Sequence, residues 1–187
     1  NHLKGTHNAI NASIAISIAK KLNINDNKIE LAIKRFKGLS HRMEQIYVSK
    51  DLEIINDSKS TNGESTAAAL KSFNNIFWIV GGKPKNDGIG EAKNFLDKVV
   101  EIFIIGDSTN YFSEEILKFN KNIPLNECVT LEKATKLALK KSKASKLKKC
   151  VILLSPSAAS FDQFKNFEDR GNKFKEIIKR QLIRGII

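Results

Sequence analysis

The stretch Glu53-Ile54-Ile55-Asn56-Asp57-Ser58-Lys59-Ser60-Thr61-Asn62 decides how this chain is read. A short apolar run ends at Asn56. A turn of hydroxyls, amides and one lysine follows, and a helical pattern begins at Glu64. The same grammar recurs late in the chain. There Val151–Leu154 leads into Ser155-Pro156-Ser157-Ala158-Ala159-Ser160-Phe161-Asp162-Gln163-Phe164, with a helical pattern over Phe161–Ile183. Both read as strand-to-helix turns, where backbone N–H groups and the positive end of a helix can meet an anion. Two in one small protein suggest a site for an anionic ligand.

Further strand patterns lie at Gln45–Val48, Ile76–Val80, Val100–Ile105 and, weakly, Cys128–Val129. Helical patterns alternate with them at Glu64–Ser72, Glu91–Leu96, Ser113–Phe119 and Leu131–Lys143. Alternation of this kind predicts an α/β fold with a mostly parallel sheet and helices on both faces. The first two strands are close enough for a hairpin around Lys50-Asp51, so one edge is expected to be antiparallel. In such sheets ligands bind beyond the carboxyl ends of the strands, which is where both opening turns fall.

Upstream, residues 8–22 form a helical pattern that is apolar almost all round, and so reads as buried. Asp26 reads as the cap of a second helix over residues 27–36, with Ile29, Leu31, Ile33 and Phe36 inside and Gly38 ending it. These helices have no strands of their own. The opening Asn1-His2-Leu3-Lys4-Gly5 reads as mid-protein sequence. The chain is therefore expected to be a piece of a longer protein, its first helices packed on an upstream sheet.

At 187 residues and 41% hydrophobic, the chain can bury a real core, which excludes a disordered tail. No apolar run reaches the roughly 20 residues a membrane span needs, so no membrane partner is expected. Cys128 and Cys150 form no disulfide framework or zinc pattern and read as ordinary thiols of a reducing compartment. The net charge of +12 comes from 27 lysines and only 5 arginines. It attracts anions in general. The lysines are scattered, and the cluster at Lys133 to Lys149 has no interleaved aromatics to stack bases. It reads as a solvated face, and nucleic acid is not an expected partner.

Gly81-Gly82-Lys83-Pro84-Lys85 follows the strand Ile76–Val80. A glycine pair at a strand end permits a tight turn and close approach, and Lys85 offers one point charge to an anion on the same rim. Ser160 and Gln163 have capping-box spacing, so Ser160 reads as a helix N-cap. Phe161, Phe164, Phe167 and Phe174 recur at helical spacing and read mostly as core. His2, His7 and His41 have no Cys or acidic partner at ligand spacing, so no metal site is expected from this chain alone. There is no Walker A loop and no nucleophile elbow. The parts grip anions and supply no nucleophile or base, as in a binding half of an active site completed elsewhere.

Taken together these motifs resemble the Mur ligase family. The matching stretches are Gly5 to Asn11, Gly38 to Glu44, Asn56 to Asn62, Gly81 to Lys85 and Leu154 to Gly171, in order over nearly the whole chain. Asp57 to Asn62 and Ser160 to Phe164 look like the D-glutamate-adding member. The rest is shared more loosely with other Mur ligases and folylpolyglutamate synthetases, which stay open as alternatives. Ser40 stands where proline is usual, and Ser157-Ala158 replaces a common Ala-Cys pair. Both are small-for-small changes expected to matter little.

The resemblance implies a Rossmann-like domain over residues 41–187 that binds the incoming amino acid, preceded by residues 1–40 as the tail of a central ATP-binding domain. It implies a cytoplasmic, ATP- and Mg2+-dependent ligase of peptidoglycan precursor synthesis, monomeric when complete. That enzyme joins D-glutamate to UDP-N-acetylmuramoyl-L-alanine through an acyl phosphate and a tetrahedral intermediate. The P-loop lies upstream, so this piece alone is expected to be inactive. Residue by residue, Thr61, Lys85, Ser160, Phe161 and Phe167 would hold D-glutamate, and Lys59 would sit near the transferring phosphate. Asn8, Asn11, Arg42 and Asp57 would contact the nucleotide, Asp57 at its ribose and Arg42 at its phosphates. A basic nucleic-acid-binding module and a stand-alone small-molecule sensor are the readings from other classes.

Overall fold

A computed structural model describes residues 6–187 of the chain, with side chains from residue 9. They fall into two compact units, one ending at Leu39 and one from Ser40 to Ile187. The first holds α1 (Thr6–Lys21) and α2 (Asp26–Arg35). In α1, Ile10, Ile14 and Ile18 are all more than half exposed. In α2 only Ile29 is buried, while Leu31, Ile33 and Phe36 are exposed. The cap is Asn25, whose side chain accepts from the Asn27 N–H, and not Asp26. Asn and Asp cap equally well, so neighbouring residues of the same chemistry compete for the position.

The second unit is a six-stranded sheet built from β1 (Glu44–Val48), β2 (Leu52–Asn56), β3 (Ile76–Gly81), β4 (Val99–Ile105), β5 (Leu125–Val129) and β6 (Cys150–Leu154). Its order is β1-β2-β6-β3-β4-β5. β1 pairs antiparallel with β2 through the expected hairpin, and every other pairing is parallel. The central strands are apolar on both sides because both sheet faces are covered. On one face Ile55, Trp78, Val80, Ile102, Ile104 and Leu153 pack with residues of α3 (Gly63–Lys71), a 3-10 segment (Gly90–Lys98) and α4 (Thr109–Leu117). On the other, Ile54, Phe77, Ile79, Phe103, Ile105 and Ile152 pack with α5 (Leu131–Ala144) and α6 (Phe167–Ile183). Adjacent residues of one strand thus feed opposite cores, the period-two rule in both directions.

The first turn folds as read: α3 starts at Gly63, and the Asn62 side chain accepts from the Ser65 N–H at 2.9 Å. The second does not. Ser160 caps no helix. Its carbonyl accepts from the Gln163 and Phe164 N–H groups in one isolated turn, and the Gln163 side chain donates to the Val129 carbonyl instead. The helix begins at Phe167 with Asn166 as its cap, accepting from Asp169 N–H at 2.7 Å. A long loop therefore separates β6 from α6. The phenylalanine run is not one helical face: Phe174 is buried, Phe164 and Phe167 are half-buried, and Phe161 is 71% exposed. Cys128 and Cys150 are free and more fully buried than ordinary half-exposed thiols.

At Gly171 on α6 the helix meets the opposite wall closely, since a Cβ there would lie 2.2 Å from Nδ1 of the buried His41 ring. Gly171→Ala gains about 1 kcal/mol of helix propensity. Overpacking against a ring that cannot retreat costs about 1–3 kcal/mol. The clash is expected to win, lowering the denaturant midpoint in chemical unfolding. A variant as stable as the parent would show that His41 yields freely.

Candidate functional site

The parallel strands β2, β3 and β6 end on one rim, and three loops leave it: 57–62, 82–89 and 155–166. Backbone bonds lace them together. Asp57 N–H donates to the Leu154 carbonyl at 2.8 Å, and Ser157 N–H to the Ser60 carbonyl at 3.0 Å. Lys83 and Ala159 exchange both N–H groups at 2.9 and 3.0 Å, a two-residue antiparallel bridge. Gly82 permits that bridge: its φ is +127°, and a Cβ there would meet the Ala159 carbonyl oxygen at 2.3 Å. Ser157 holds a left-handed φ of 56°, an uncommon setting for a non-glycine residue that typically marks a functional constraint. Its hydroxyl donates to the Gly88 carbonyl at 3.3 Å, so the serine that departs from the usual alanine finds an internal partner.

Asp57 is buried within this lacing. Its carboxylate accepts from the Met43 N–H at 3.0 Å, from the Ser155 hydroxyl at 3.0 Å and from the Ser60 hydroxyl. Left-handed backbone at His41 and Met43, φ 64° and 47°, frames the Met43 N–H that it holds. Burial raises the Asp57 pKa to about 6. The hydrogen bonds from Ser60, Met43 and Ser155 and the nearby Arg42 charge pull the other way. Behind it, the Asn56 amide reaches His41 Nδ1 at 3.0 Å, Glu44 at 3.1 Å and the Gly171 carbonyl at 3.3 Å. Glu44 also pairs with Lys175 at 3.1 Å. His41 thus has an acidic neighbour that spacing alone did not flag. Its pKa is lowered, first by burial and then by Lys175, with Glu44 and Glu168 opposing.

Of the residues singled out from sequence, Thr61, Lys85 and Ser160 lie on the three laced loops. Among the described residues none of their side-chain heads has a hydrogen-bond or ion-pair partner. Thr61 follows Ser60, and Ser160 follows Ala159, so both are adjacent to a tie between loops. Lys59 is exposed, with its ammonium over the Phe167 ring at 4.9 Å. Phe167 also takes the His41 ring edge-on at 6.3 Å. Phe161 projects into solvent. Arg42 is half-buried, and its Nε has no partner among the described residues. Asp57 lies inside the loop lacing, 3% exposed, and Ser160 is as deeply buried at 2%. Asn8 and Asn11 lie on α1 in the first unit. Asn11 is exposed, and the Asn8 side chain falls outside the described part.

Sequence reasoning assigned no role to Arg170, which is 1% exposed. Its Nε donates to the Ser58 hydroxyl at 3.0 Å, and its Nη2 to the carbonyls of Ser58 and Ala158 at 2.9 and 3.0 Å. The Ser58 hydroxyl in turn donates to the Phe167 carbonyl at 2.8 Å. A signal was present: Arg170 shares a helical face with Phe174, Ile177, Ile178 and Gln181, all buried.

No family model matches the chain. Among solved structures, it superposes on UDP-N-acetylmuramate–alanine ligase of Thermotoga maritima with a TM-score of 0.65 at 16% identity, covering 95% of this chain and 39% of that one. It superposes on folylpolyglutamate synthase of the same organism with a TM-score of 0.58 at 16% identity, covering 94% and 39%. These likenesses define the fold. Sequence gives the closer kinship, and by it the chain belongs to the Mur ligase family. It is 40% identical over 177 residues to UDP-N-acetylmuramoylalanine–D-glutamate ligase of Bradyrhizobium diazoefficiens, covering 95% of the chain and 37% of that protein. Against the enzyme of the same name from Bartonella henselae it is 41% identical over 172 residues, covering 92% and 36%. The chain thus spans a little over a third of the length of the curated relatives it matches.

Asp57 makes stability depend on pH in a definite sense. Its folded pKa of about 6 stands above the ordinary 3.8, so the folded state holds the proton more tightly. The stabilisation is complete below about pH 4 and is lost as pH rises through about 6, on the order of 2–3 kcal/mol for a shift of this size. Comparing unfolding free energies of the parent and Asp57→Asn from pH 4 to 7 should show the parent losing its advantage across that window. A constant difference would place the carboxylate in a more solvated setting.

Proposed function

We propose that the chain is the carboxy-terminal, amino-acid-binding part of the ATP-dependent ligase that adds D-glutamate to UDP-N-acetylmuramoyl-L-alanine. One observation carries this reading. Two hydroxyls and an ammonium, from Thr61, Ser160 and Lys85, stand without internal partners on three loops bound to one another at a single rim. A dicarboxylate offers acceptors for all three. The sequence relatives carry that enzyme's name, which favours D-glutamate over the amino acids of other Mur ligases. Residues 1–40 read as the tail of the central ATP-binding domain and residues 41–187 as the terminal domain. The division between compact units at Leu39 supports that boundary.

ATP supplies the phosphoryl group that activates the muramoyl-alanine carboxylate. This chain's residues bind and orient. Thr61, Lys85 and Ser160 hold the two carboxylates of D-glutamate so that its amine faces the activated carbon, a gain of proximity and not of new chemistry. The Phe167 ring and the exposed Phe161 flank the aliphatic stem. Lys59, above Phe167, places a cation where the transferring phosphate accumulates charge. Arg42 fits a nucleotide phosphate, since its Nε is an orphaned half-buried donor. Asp57 keeps the ribose-contact role that the resemblance implies, and its oxygens also serve three internal donors, which leaves acceptor capacity for one more. Asn8 and Asn11 keep the nucleotide-contact role that the resemblance implies.

Among the described residues no group of three or more His, Cys, Asp or Glu side chains could hold a metal. The resemblance implies that ATP and Mg2+ are bound mainly by the upstream part. No described helix is long and apolar enough to cross a membrane. A soluble nucleotide-sugar substrate and ATP favour a cytoplasmic enzyme, and the monomeric state is what the resemblance implies. The second reading is another Mur ligase or a folylpolyglutamate synthetase, favoured only by the fold neighbours.

In the full-length protein, phosphate release from ATP and UDP-N-acetylmuramoyl-L-alanine should depend on D-glutamate and not on L-alanine, L-lysine or diaminopimelate. Preference for another amino acid would select the second reading. Lys85→Ala and Ser160→Ala should each raise the KM for D-glutamate by about ten- to hundredfold, the worth of a charge-assisted hydrogen bond of about 1.5–3 kcal/mol. Unchanged kinetics in both would remove these side chains from the site.

A further inference from the structure

Arg170 sits at the centre of the site with no carboxylate hydrogen-bonded to it. Among the described residues it forms no ion pair. Its only hydrogen-bond acceptors are the Ser58 hydroxyl and two carbonyls, and Nη1 is buried with no partner at all. An uncompensated buried charge is expensive. Its place in the first turn of α6 adds to the cost, because the positive end of the helix repels a cation. Burial lowers its pKa to about 10, opposed by Asp162, which still leaves it protonated near neutral pH. A structural peg would be cheaper as a neutral side chain.

The contacts of Arg170 suggest what the charge is for. Ser58, Gly82 and Ala158 surround the guanidinium; a Cβ on Gly82 would lie 3.2 Å from Nη1. Each of these residues belongs to a different loop. Ser58 precedes Thr61 by three positions, Gly82 precedes Lys85 by three, and Ala158 precedes Ser160 by two. One rigid planar fork thus hydrogen-bonds the bases of two of these loops and lies beside the base of the third, and the fork pre-organises its donors better than an ammonium would.

We propose that Arg170 is the positioning residue of the amino-acid site. It sets the mutual placement of Thr61, Lys85 and Ser160, and it places a buried positive charge behind them that favours a dicarboxylate. This rests on the assignment of D-glutamate above. A ligand with two negative charges adds counter-charge to the single attraction of Asp162 and offsets more of the cost of the buried cation when it is bound.

The test is steady-state kinetics of full-length R170M, R170K and S58A with D-glutamate, ATP and UDP-N-acetylmuramoyl-L-alanine varied in turn. R170M should raise the KM for D-glutamate by about tenfold or more while the other two KM values stay within about twofold. R170K keeps the charge without the fork and should recover part of the loss. S58A keeps the charge and removes one acceptor, and should raise the same KM by a few-fold at most. A change in all three KM values together, with a lost near-ultraviolet circular dichroism signal, would make Arg170 merely structural. If R170M does not fold, R170K and S58A decide: D-glutamate KM values unchanged in both overturn the proposal. A parent protein that ignores D-glutamate overturns the functional reading. A parent that uses it, with Arg170 variants indifferent, overturns only the positioning role.

Discussion

The site depends on a guanidinium that lies where few charges are found. Arg170 enters from the first turn of α6 and binds the loop after β2 and the loop after β6 through three hydrogen bonds. Those loops come from strands adjacent in the sheet and far apart in sequence. The Ser58 hydroxyl closes the arrangement by donating back to Phe167, the residue where α6 begins. Helix start, strand ends and loops are therefore one hydrogen-bonded body. A substitution at any one of these points should be felt at the others.

The sheet makes this possible by its order. β6, last in sequence, inserts between β2 and β3, so the loops that follow these strands converge. Apolar residues on both faces of each central strand hold the strands through two separate cores. The polar loops can then accept strained backbone at His41, Met43 and Ser157 and a raised carboxyl pKa at Asp57. Such local violations cluster at functional sites and are offset by packing elsewhere.

Much of this was legible from the chain itself. The strands announced themselves because buried parallel strands need unbroken apolar runs, and the hairpin because Val48 and Leu52 leave room for nothing else. The residues alone pointed to an anion-binding rim with Lys85 on it, and the resemblance singled out Thr61, Lys85 and Ser160. What failed had physical causes. The start of α6 was misplaced because Ser160 and Gln163 imitate a capping box, while Asn166 wins the cap through Asp169. The depth of Asp57 was not visible, because its burial arises only when loops distant in sequence close over it. Arg170 was given no role of its own, although its spacing to Phe174 and Ile177 placed it on the buried face.

The central claim is that three loops pinned together at one rim form a receptor for D-glutamate. The direct measurement is nuclear magnetic resonance of the full-length protein titrated with D-glutamate in the presence of a non-hydrolysable ATP analogue. The account predicts that backbone amide signals of Thr61, Lys85 and Ser160 shift together along one saturation curve, and that L-lysine leaves them in place. Unmoved signals at these residues, or equal shifts with L-lysine, would contradict it.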